Sequence, residues 1–234
     1  MAPPTMESAK ARPVSLQWPL WLGLFVLALA WLGPLPRLTH HSFAAHMMLH
    51  VTVVAIAAPL IAIGISGCRC NLLCRLPWAM TAIGASLVEL IVVWAWHAPV
   101  LRHAASGSTA VFIAEQASFI AVGLALWLAA FTTGTDGGRA RAMAGVIALL
   151  FTSMHMTLLG ALLGLSPRPL FHHGHAGITV LGLMPLDDQH VGGIVMLAVG
   201  GLTYLAGGLA LIARLLRDEP APSPVPPTFP VGGQ

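Results

Sequence analysis

Six apolar stretches, each about the length of a membrane-spanning helix, dominate this chain. A bilayer core of about 30 Å is crossed by about 20 apolar residues in helical form. The stretches cover Leu16–Gly33, Phe43–Ser66, Pro77–His97, Thr109–Phe131, Arg141–Leu165 and Val191–Leu216. The sequence therefore predicts an all-α fold, a polytopic membrane helical bundle with about six transmembrane helices.

Charged side chains are too few for a soluble protein. Asp, Glu, Lys and Arg make up 8% of the 234 residues and apolar types 57%, whereas a soluble domain carries about 25% charged residues. The arginines are scattered singly, which argues against a nucleic-acid-binding face. Lys10 and Arg12 precede the first stretch as in a secretory signal. That stretch is longer than the apolar part of a signal peptide, so we predict a retained helix.

The tails and the basic residues predict the organisation of the chain. We expect residues 1–15 and the proline-rich residues 218–234 to be disordered tails, and residues 16–217 to form a six-helix transmembrane domain. Cytoplasmic loops carry an excess of Lys and Arg. Six spans place eight such residues on the side of the termini and three on the other side. The eight are Lys10, Arg12, Arg69, Arg75, Arg139, Arg141, Arg214 and Arg217, and the three are Arg37, Arg102 and Arg168. Both termini are therefore predicted to be cytoplasmic.

The histidines gather on the opposite, outer side, and several ionisable groups lie inside the spans. Such groups are costly in a membrane and usually face the interior of the bundle. A rise of about 1.5 Å per residue places them roughly 6 to 16 Å below the outer helix ends. The groups at these depths are His46, His50, Glu89, Glu115 and His155, together with Met196. If they point inward, they form one polar site that opens to the outside.

His46 and His50 are the most informative pair, because they lie one helical turn apart on one face. This spacing can hold one metal ion. Imidazole with thioether suits copper, and thioether favours Cu(I). The methionines that accompany the histidines are Met47, Met48, Met154 and Met156. The bland alternative is that these side chains fill a helix interface, with each histidine hydrogen-bonded to a neighbour.

The buried carboxyls also have two interpretations. Glu89 and Glu115 could each make an interhelical hydrogen bond as a protonated carboxyl, or they could support metal-binding imidazoles, and the two roles can coincide. At the start of the sixth helix, Asp187 and Asp188 suit the positive end of the helix dipole, so a cap is expected there.

Two further clusters lie in loops. Three thiols close together in a cytoplasmic loop could hold Cu(I), or they could be reduced, unligated surface thiols; they are Cys68, Cys70 and Cys74. A short outer tract could capture metal weakly, or it could be a flexible loop with incidental imidazoles; its histidines are His172, His173 and His175. The sequence contains no phosphate-binding glycine loop, no HExxH motif and no Ser/His/Asp motif. We therefore predict that the protein is not an enzyme.

Four segments together resemble the multi-span CtaG-type family of bacterial cytochrome c oxidase assembly factors, over roughly Phe43 to Arg217. They are His46-Met47-Met48-Leu49-His50 running on to Ala58-Pro59-Leu60, Trp96-His97-Ala98-Pro99, the run from His155 to Phe171, and Pro185-Leu186-Asp187-Asp188-Gln189 with the glycine-rich helix that follows. The chain departs from the family pattern at Pro59, where a double proline is expected, and at Leu197-Ala198-Val199, where a Trp and a Pro are expected.

The resemblance implies a multi-pass protein of the bacterial cytoplasmic (inner) membrane that helps to mature a haem–copper oxidase by supporting copper insertion into a subunit of the oxidase. His46, His50, His97 and His155 would hold the copper, and Glu89, Glu115, Asp188 and Gln189 would support them. A haem-binding membrane redox protein, with His50 and His155 as axial ligands, is the second hypothesis. A metal permease is the third, but the inner half of the helices carries almost no polar residues.

Overall fold

The structure, a computed structural model, describes residues 18–66, 81–131, 138–171 and 182–217. These residues are helical and contain no strand, so the predicted all-α class is confirmed. The α-helices are α1 Trp18–Leu32, α2 Leu35–Leu38, α3 Phe43–Val51, α4 Ala58–Ser66, α5 Ala82–Trp96, α6 Pro99–Gly107, α7 Thr109–Phe131, α8 Gly138–Gly164, α9 Pro185–Val195 and α10 Leu202–Arg217. Two π-helical segments, Thr52–Ala57 and Met196–Gly201, join α3 to α4 and α9 to α10.

Four helices in the described ranges are long and apolar enough to cross a membrane by themselves. They are Phe43–Ile65, Thr109–Phe131, Arg139–Gly164 and Pro185–Arg217, and they correspond to the second, fourth, fifth and sixth predicted spans. The sixth begins at Pro185 rather than at Val191, because Pro185 suits the first turn of a helix. The first predicted span is a 15-residue apolar helix, α1. The predicted tails lie outside the described residues.

The third predicted span, Pro77–His97, corresponds to α5, and a sharp bend joins α5 to α6, which lies beyond the predicted bounds. α5 and α6 meet at an angle of 71°. Ala98, immediately before Pro99, is extended with φ −65° and ψ 132°, as expected for a residue whose α conformation is hindered by a following proline. α6 therefore turns away from the axis of α5 and buries Arg102 and Ala105 against the neighbouring helices.

Pro59 has a clear effect on the second span. In the π segment before it, the Ala58 N–H bonds to the Val53 carbonyl, five residues back. The next donor in this register would be residue 59, which has no N–H because it is proline. The Val54 carbonyl instead accepts a hydrogen bond from Trp127 Nε1 at 3.1 Å and one from the Tyr204 hydroxyl at 3.3 Å. The Val54 carbonyl, left without a backbone donor by Pro59, thus links α7 and α10 to this span.

α8 and α9 approach closely through glycines. A Cβ added to Gly193 would lie 2.5 Å from the Gly164 nitrogen and 2.7 Å from the Gly160 carbonyl oxygen. Small residues allow such backbone contact between membrane helices, where packing replaces the hydrophobic effect as the driving force. This contact places the end of α8 beside the start of α9. The start of α3 and the end of α5 lie at the same end of the bundle. We call it the outer end, because the predicted orientation places it on the outer side of the membrane.

Candidate metal site and its supporting network

The ionisable groups predicted inside the spans do face the interior. His46, His50, Glu89, Glu115 and His155 are all buried, and so is Met196. Two sets of contacts involve these residues and their neighbours. An outer cluster contains His46, Met47, His50, His97, Arg102 and Glu115. A second group, the Glu89–Tyr204 network, contains Glu89, Tyr204, Trp127 and the Val54 carbonyl.

His97 and Met47 form the closest pair of metal-binding atoms in the outer cluster. The Nδ1 atom of His97 lies 2.6 Å from the Val93 carbonyl oxygen, which can only accept, so Nδ1 carries the proton. In the neutral imidazole, Nε2 then has a lone pair and no hydrogen. This Nε2 atom lies 3.4 Å from Met47 Sδ, which is also a lone-pair atom. Two electron-pair donors therefore face each other with no hydrogen between them.

His50 completes this part of the cluster. Its ring centroid lies 5.5 Å from that of His97 and 4.1 Å from that of Phe119. Both ring nitrogens are buried and have no hydrogen-bond partner among the described residues. Buried polar atoms are normally hydrogen-bonded, so His50 retains an unused capacity to bind a proton donor or a cation.

His46 lies beside Glu115, and Arg102 is the second ionisable neighbour in this part of the cluster. Its Nε2 atom lies 3.6 Å from Glu115 Oε1 on α7, and its ring centroid is 6.5 Å from that of His97. Arg102 on α6 is also buried, donates to the Thr39 carbonyl oxygen at 2.8 Å, and interacts electrostatically with Glu115 and His97. Sequence analysis assigned Arg102 to an outer loop and gave it no role. The bend at Pro99 brings it inside.

Asp188 caps a different helix from the one predicted. The N-cap of its own helix is Met184, which makes no side-chain cap bond. The Asp188 carboxylate instead accepts from the Ser42 hydroxyl at 2.7 Å and from the Phe43 N–H at 2.5 Å. Ser42 is the N-cap of α3 and accepts from the Ala45 N–H at 3.1 Å. Asp188 thereby stabilises the start of the helix that carries His46 and His50.

Gln189 and His190 hold the loop that follows α8. Gln189 accepts from the Leu170 N–H at 2.7 Å and donates to the Leu163 carbonyl at 3.2 Å. The Nε2 atom of His190 lies 3.0 Å from the Ser166 carbonyl oxygen. Phe171 belongs to the same loop, and its ring stacks on that of Phe43, with the ring centroids 4.3 Å apart. The motif that begins α9 therefore works as a structural clamp at the outer end.

The Glu89–Tyr204 network makes an interhelical contact of the kind predicted for Glu89. The Tyr204 hydroxyl bonds to Glu89 Oε1 and to the Val54 carbonyl, and the Tyr204 ring stacks on Trp127 at 5.0 Å. Sequence analysis identified neither Tyr204 nor Trp127. A signal existed, because Tyr204 is the chain's single tyrosine and it lies in an apolar helix, where a hydroxyl needs a partner.

His155 lies on α8, the helix that packs against α5. Both of its ring nitrogens are buried without a hydrogen-bond partner among the described residues, and its ring lies 5.7 Å from Phe151. Its role as a metal ligand stays a prediction. The methionines divide by burial: Met47 and Met156 are fully buried, while Met48 and Met154 are exposed on the apolar surface. The cysteine cluster and the His172–His175 tract lie outside the described residues.

No group of three or more His, Cys, Asp or Glu side chains in the described ranges is arranged to hold a metal ion as it stands. The outer cluster also contains a donor of another kind, the thioether sulfur of Met47. Two imidazoles on one ion, with bonds of about 2.0–2.1 Å, have ring centroids no more than roughly 6 Å apart. The His50–His97 separation of 5.5 Å satisfies this limit, and the His46–His97 separation of 6.5 Å slightly exceeds it.

These features define a helical membrane protein with a polar cluster of imidazole, thioether, carboxylate and guanidinium groups buried near one end. The chain belongs to the cytochrome c oxidase caa3 assembly factor family (Caa3_CtaG), whose family model matches residues 6–218. The predicted family is therefore confirmed. Comparison with curated proteins and with solved structures gave no significant match.

Proposed function

We propose that this protein receives copper as cargo in the outer cluster and supports its insertion into a subunit of a cytochrome c oxidase. The observation that carries the proposal is the contact between His97 Nε2 and Met47 Sδ at 3.4 Å. Membership of the assembly-factor family supplies the expected client. The bacterial cytoplasmic membrane is the expected location, and the outer side is the side on which copper would arrive and leave.

The donor atoms fit copper by type and by spacing. Bonds of about 2.1 Å to nitrogen and 2.3 Å to sulfur allow one ion to contact two donors up to about 4.4 Å apart. The 3.4 Å between His97 Nε2 and Met47 Sδ lies within that reach. Thioether selects soft ions, and imidazole accepts copper readily. His50 is the third donor, because its two ring nitrogens have no other partner in the described ranges.

The support around the donors also suits a transient metal site. The bond from His97 Nδ1 to Val93 fixes which nitrogen of the ring faces Met47, as carbonyl and carboxylate partners do for metal-bound histidines generally. Glu115 Oε1 lies 3.6 Å from His46 Nε2, so its carboxyl is placed to attract that imidazole electrostatically. The ion would be held by only a few donor atoms, those of Met47, His50 and His97. Such a site binds the ion loosely enough to pass it to a client.

The test is a complementation assay in a bacterium that lacks its own copy of the gene. His97→Ala should lower the copper content and the activity of the oxidase, while immunoblotting shows normal amounts of the variant in the membrane. His103→Ala is the matched control, because His103 is an exposed histidine on the adjacent helix α6. Normal copper and activity with His97→Ala would contradict the proposal. A Soret band in the purified protein would instead support the haem-binding alternative.

A further inference from the structure

We infer that Arg102 determines which metal ions the outer cluster accepts, by admitting monovalent copper and disfavouring divalent ions. This inference rests on the proposed function, because it concerns the same cluster. Arg102 makes no predicted contact with the metal and would act on it through its positive charge.

The position of Arg102 is unusual for a guanidinium group. Its side chain is 3% exposed, its Nη2 atom donates to the Thr39 carbonyl at 2.8 Å, and its Nε atom has no hydrogen-bond partner among the described residues. Arginine keeps its proton in proteins. A permanent positive charge is therefore fixed within electrostatic range of His97 and Glu115.

The donor atoms alone would not reject divalent ions. Imidazole groups bind Zn(II), Ni(II) and Cu(II) as well as copper in its lower oxidation state, and Cu(II) is the strongest binder of the divalent series. A carboxylate beside the cluster would strengthen binding of such ions further. Glu115 is that carboxylate, since it lies 3.6 Å from His46. The neighbouring His50 and His97, with an uncompensated Glu115 near His46, would therefore favour divalent ions electrostatically.

Arg102 removes this advantage by cancelling the charge of Glu115. With the histidines neutral, the pair leaves the cluster without net charge. The cost of placing an ion in a medium of low dielectric grows with the square of its charge, so a divalent ion is about four times as costly as a monovalent one. Repulsion by Arg102 also doubles for a divalent ion. In a medium with an effective dielectric of about 20, a fixed charge about 8 Å from an ion weakens binding roughly 30-fold for each additional positive charge on that ion.

Competition titrations on the full-length protein in detergent test this inference. Cu(I) is measured anaerobically against a chromogenic Cu(I) chelator, and Zn(II) against a zinc-responsive dye. The variants are Arg102→Met, Arg102→Lys, Glu115→Gln and the double variant Arg102→Met/Glu115→Gln. Arg37→Met is the control, since Arg37 is exposed at the same end of the chain's bundle.

We expect Arg102→Met to raise the ratio of Zn(II) to Cu(I) affinity about 30-fold, while Arg102→Lys and Arg37→Met leave it close to that of the unmodified protein. Glu115→Gln should lower the ratio, and the double variant should restore it, because the cluster is again without net charge. The double variant also removes both members of a buried charge pair together, which is often tolerated by the fold.

An unchanged ratio in Arg102→Met would overturn the inference. If Arg102→Met does not fold, equal ratios in Glu115→Gln, the double variant and the unmodified protein would overturn it instead. Failure of the unmodified protein to bind Cu(I) at all would overturn both this inference and the proposed function. Cu(I) binding with an Arg102-independent ratio would overturn the inference alone.

Discussion

Asp188→Asn removes a charge from the start of the helix that carries His46 and His50, and its effect can be worked out from the structure. The carboxylate accepts from the Ser42 hydroxyl and the Phe43 N–H, at 2.7 and 2.5 Å. A hydrogen bond to a charged group contributes about 1.5–3 kcal/mol, against about 0.5–1.5 kcal/mol for a neutral one. A negative charge at a helix N-terminus adds about 0.3–1 kcal/mol.

Asparagine keeps one oxygen acceptor, so one of the two hydrogen bonds survives in weaker form. The expected loss of unfolding free energy is therefore about 4 kcal/mol. For a chain of this size, each kcal/mol corresponds to about 2–4 °C, so Tm should fall by about 8–16 °C. Because α3 loses its fixed start, the affinity for Cu(I) should fall as well.

The assay is thermal unfolding in one detergent at one scan rate, followed by circular dichroism. Asp187→Asn is the matched control, because Asp187 is the neighbouring aspartate and is exposed. It should change Tm by less than about 2 °C, as surface substitutions usually do. Equal shifts for Asp187→Asn and Asp188→Asn would refute the assignment of Asp188 as the cap of α3.

Two further perturbations test the packing around the site. Gly193→Ala should destabilise the fold by about 1–3 kcal/mol in the same unfolding assay, because its Cβ would meet the backbone of Gly160 and Gly164. Gly107→Ala is the control and should not destabilise the fold, because its Cβ meets nothing within 4 Å. Equal effects of the two variants would contradict the close helix crossing. Tyr204→Phe should cost about 1–3 kcal/mol, because it leaves Glu89 buried without the hydroxyl donor; an unchanged Tm would show that the network does not stabilise the bundle.

Much of the fold was predictable, because the length of each apolar stretch in a membrane protein indicates the length of a helix. The stretches Phe43–Ser66 and Thr109–Phe131 were recognised with nearly the bounds that the structure shows. The third span was harder, because the bend between α5 and α6 depends on Pro99, which lies two residues beyond the end of the apolar stretch at His97. Hydropathy does not distinguish a helix that continues from one that turns by 71°.

The candidate site was predictable by residue type but not by grouping. The spacing of His46 and His50 identified the helix, and the resemblance to the family added His97. Depth alone placed Glu89 and His155 beside them, whereas the structure assigns Glu89 to Tyr204. Depth gives a residue's distance along the membrane normal and says nothing about which helices are neighbours. Arg102 was overlooked for a different reason: by sequence it lies in an outer loop, and only the bend at Pro99 brings it inside.

The choice between Met47 and Met48 also required the structure. The residues are adjacent, so both flank the same histidines in sequence, yet Met47 is fully buried and Met48 is 45% exposed. A helix turns by about 100° per residue, so adjacent side chains point to different faces. This pair consequently offers a matched comparison for the metal site.

X-ray absorption at the copper edge on anaerobically loaded protein tests the central claim most directly, using Met47→Leu beside Met48→Leu. The unmodified protein and Met48→Leu should both show a sulfur neighbour of copper at about 2.3 Å, together with nitrogen at about 2.0 Å. Met47→Leu should lose the sulfur and keep the nitrogen. A sulfur signal that persists in Met47→Leu, or that is absent from the unmodified protein, would contradict a copper site built on Met47 and His97.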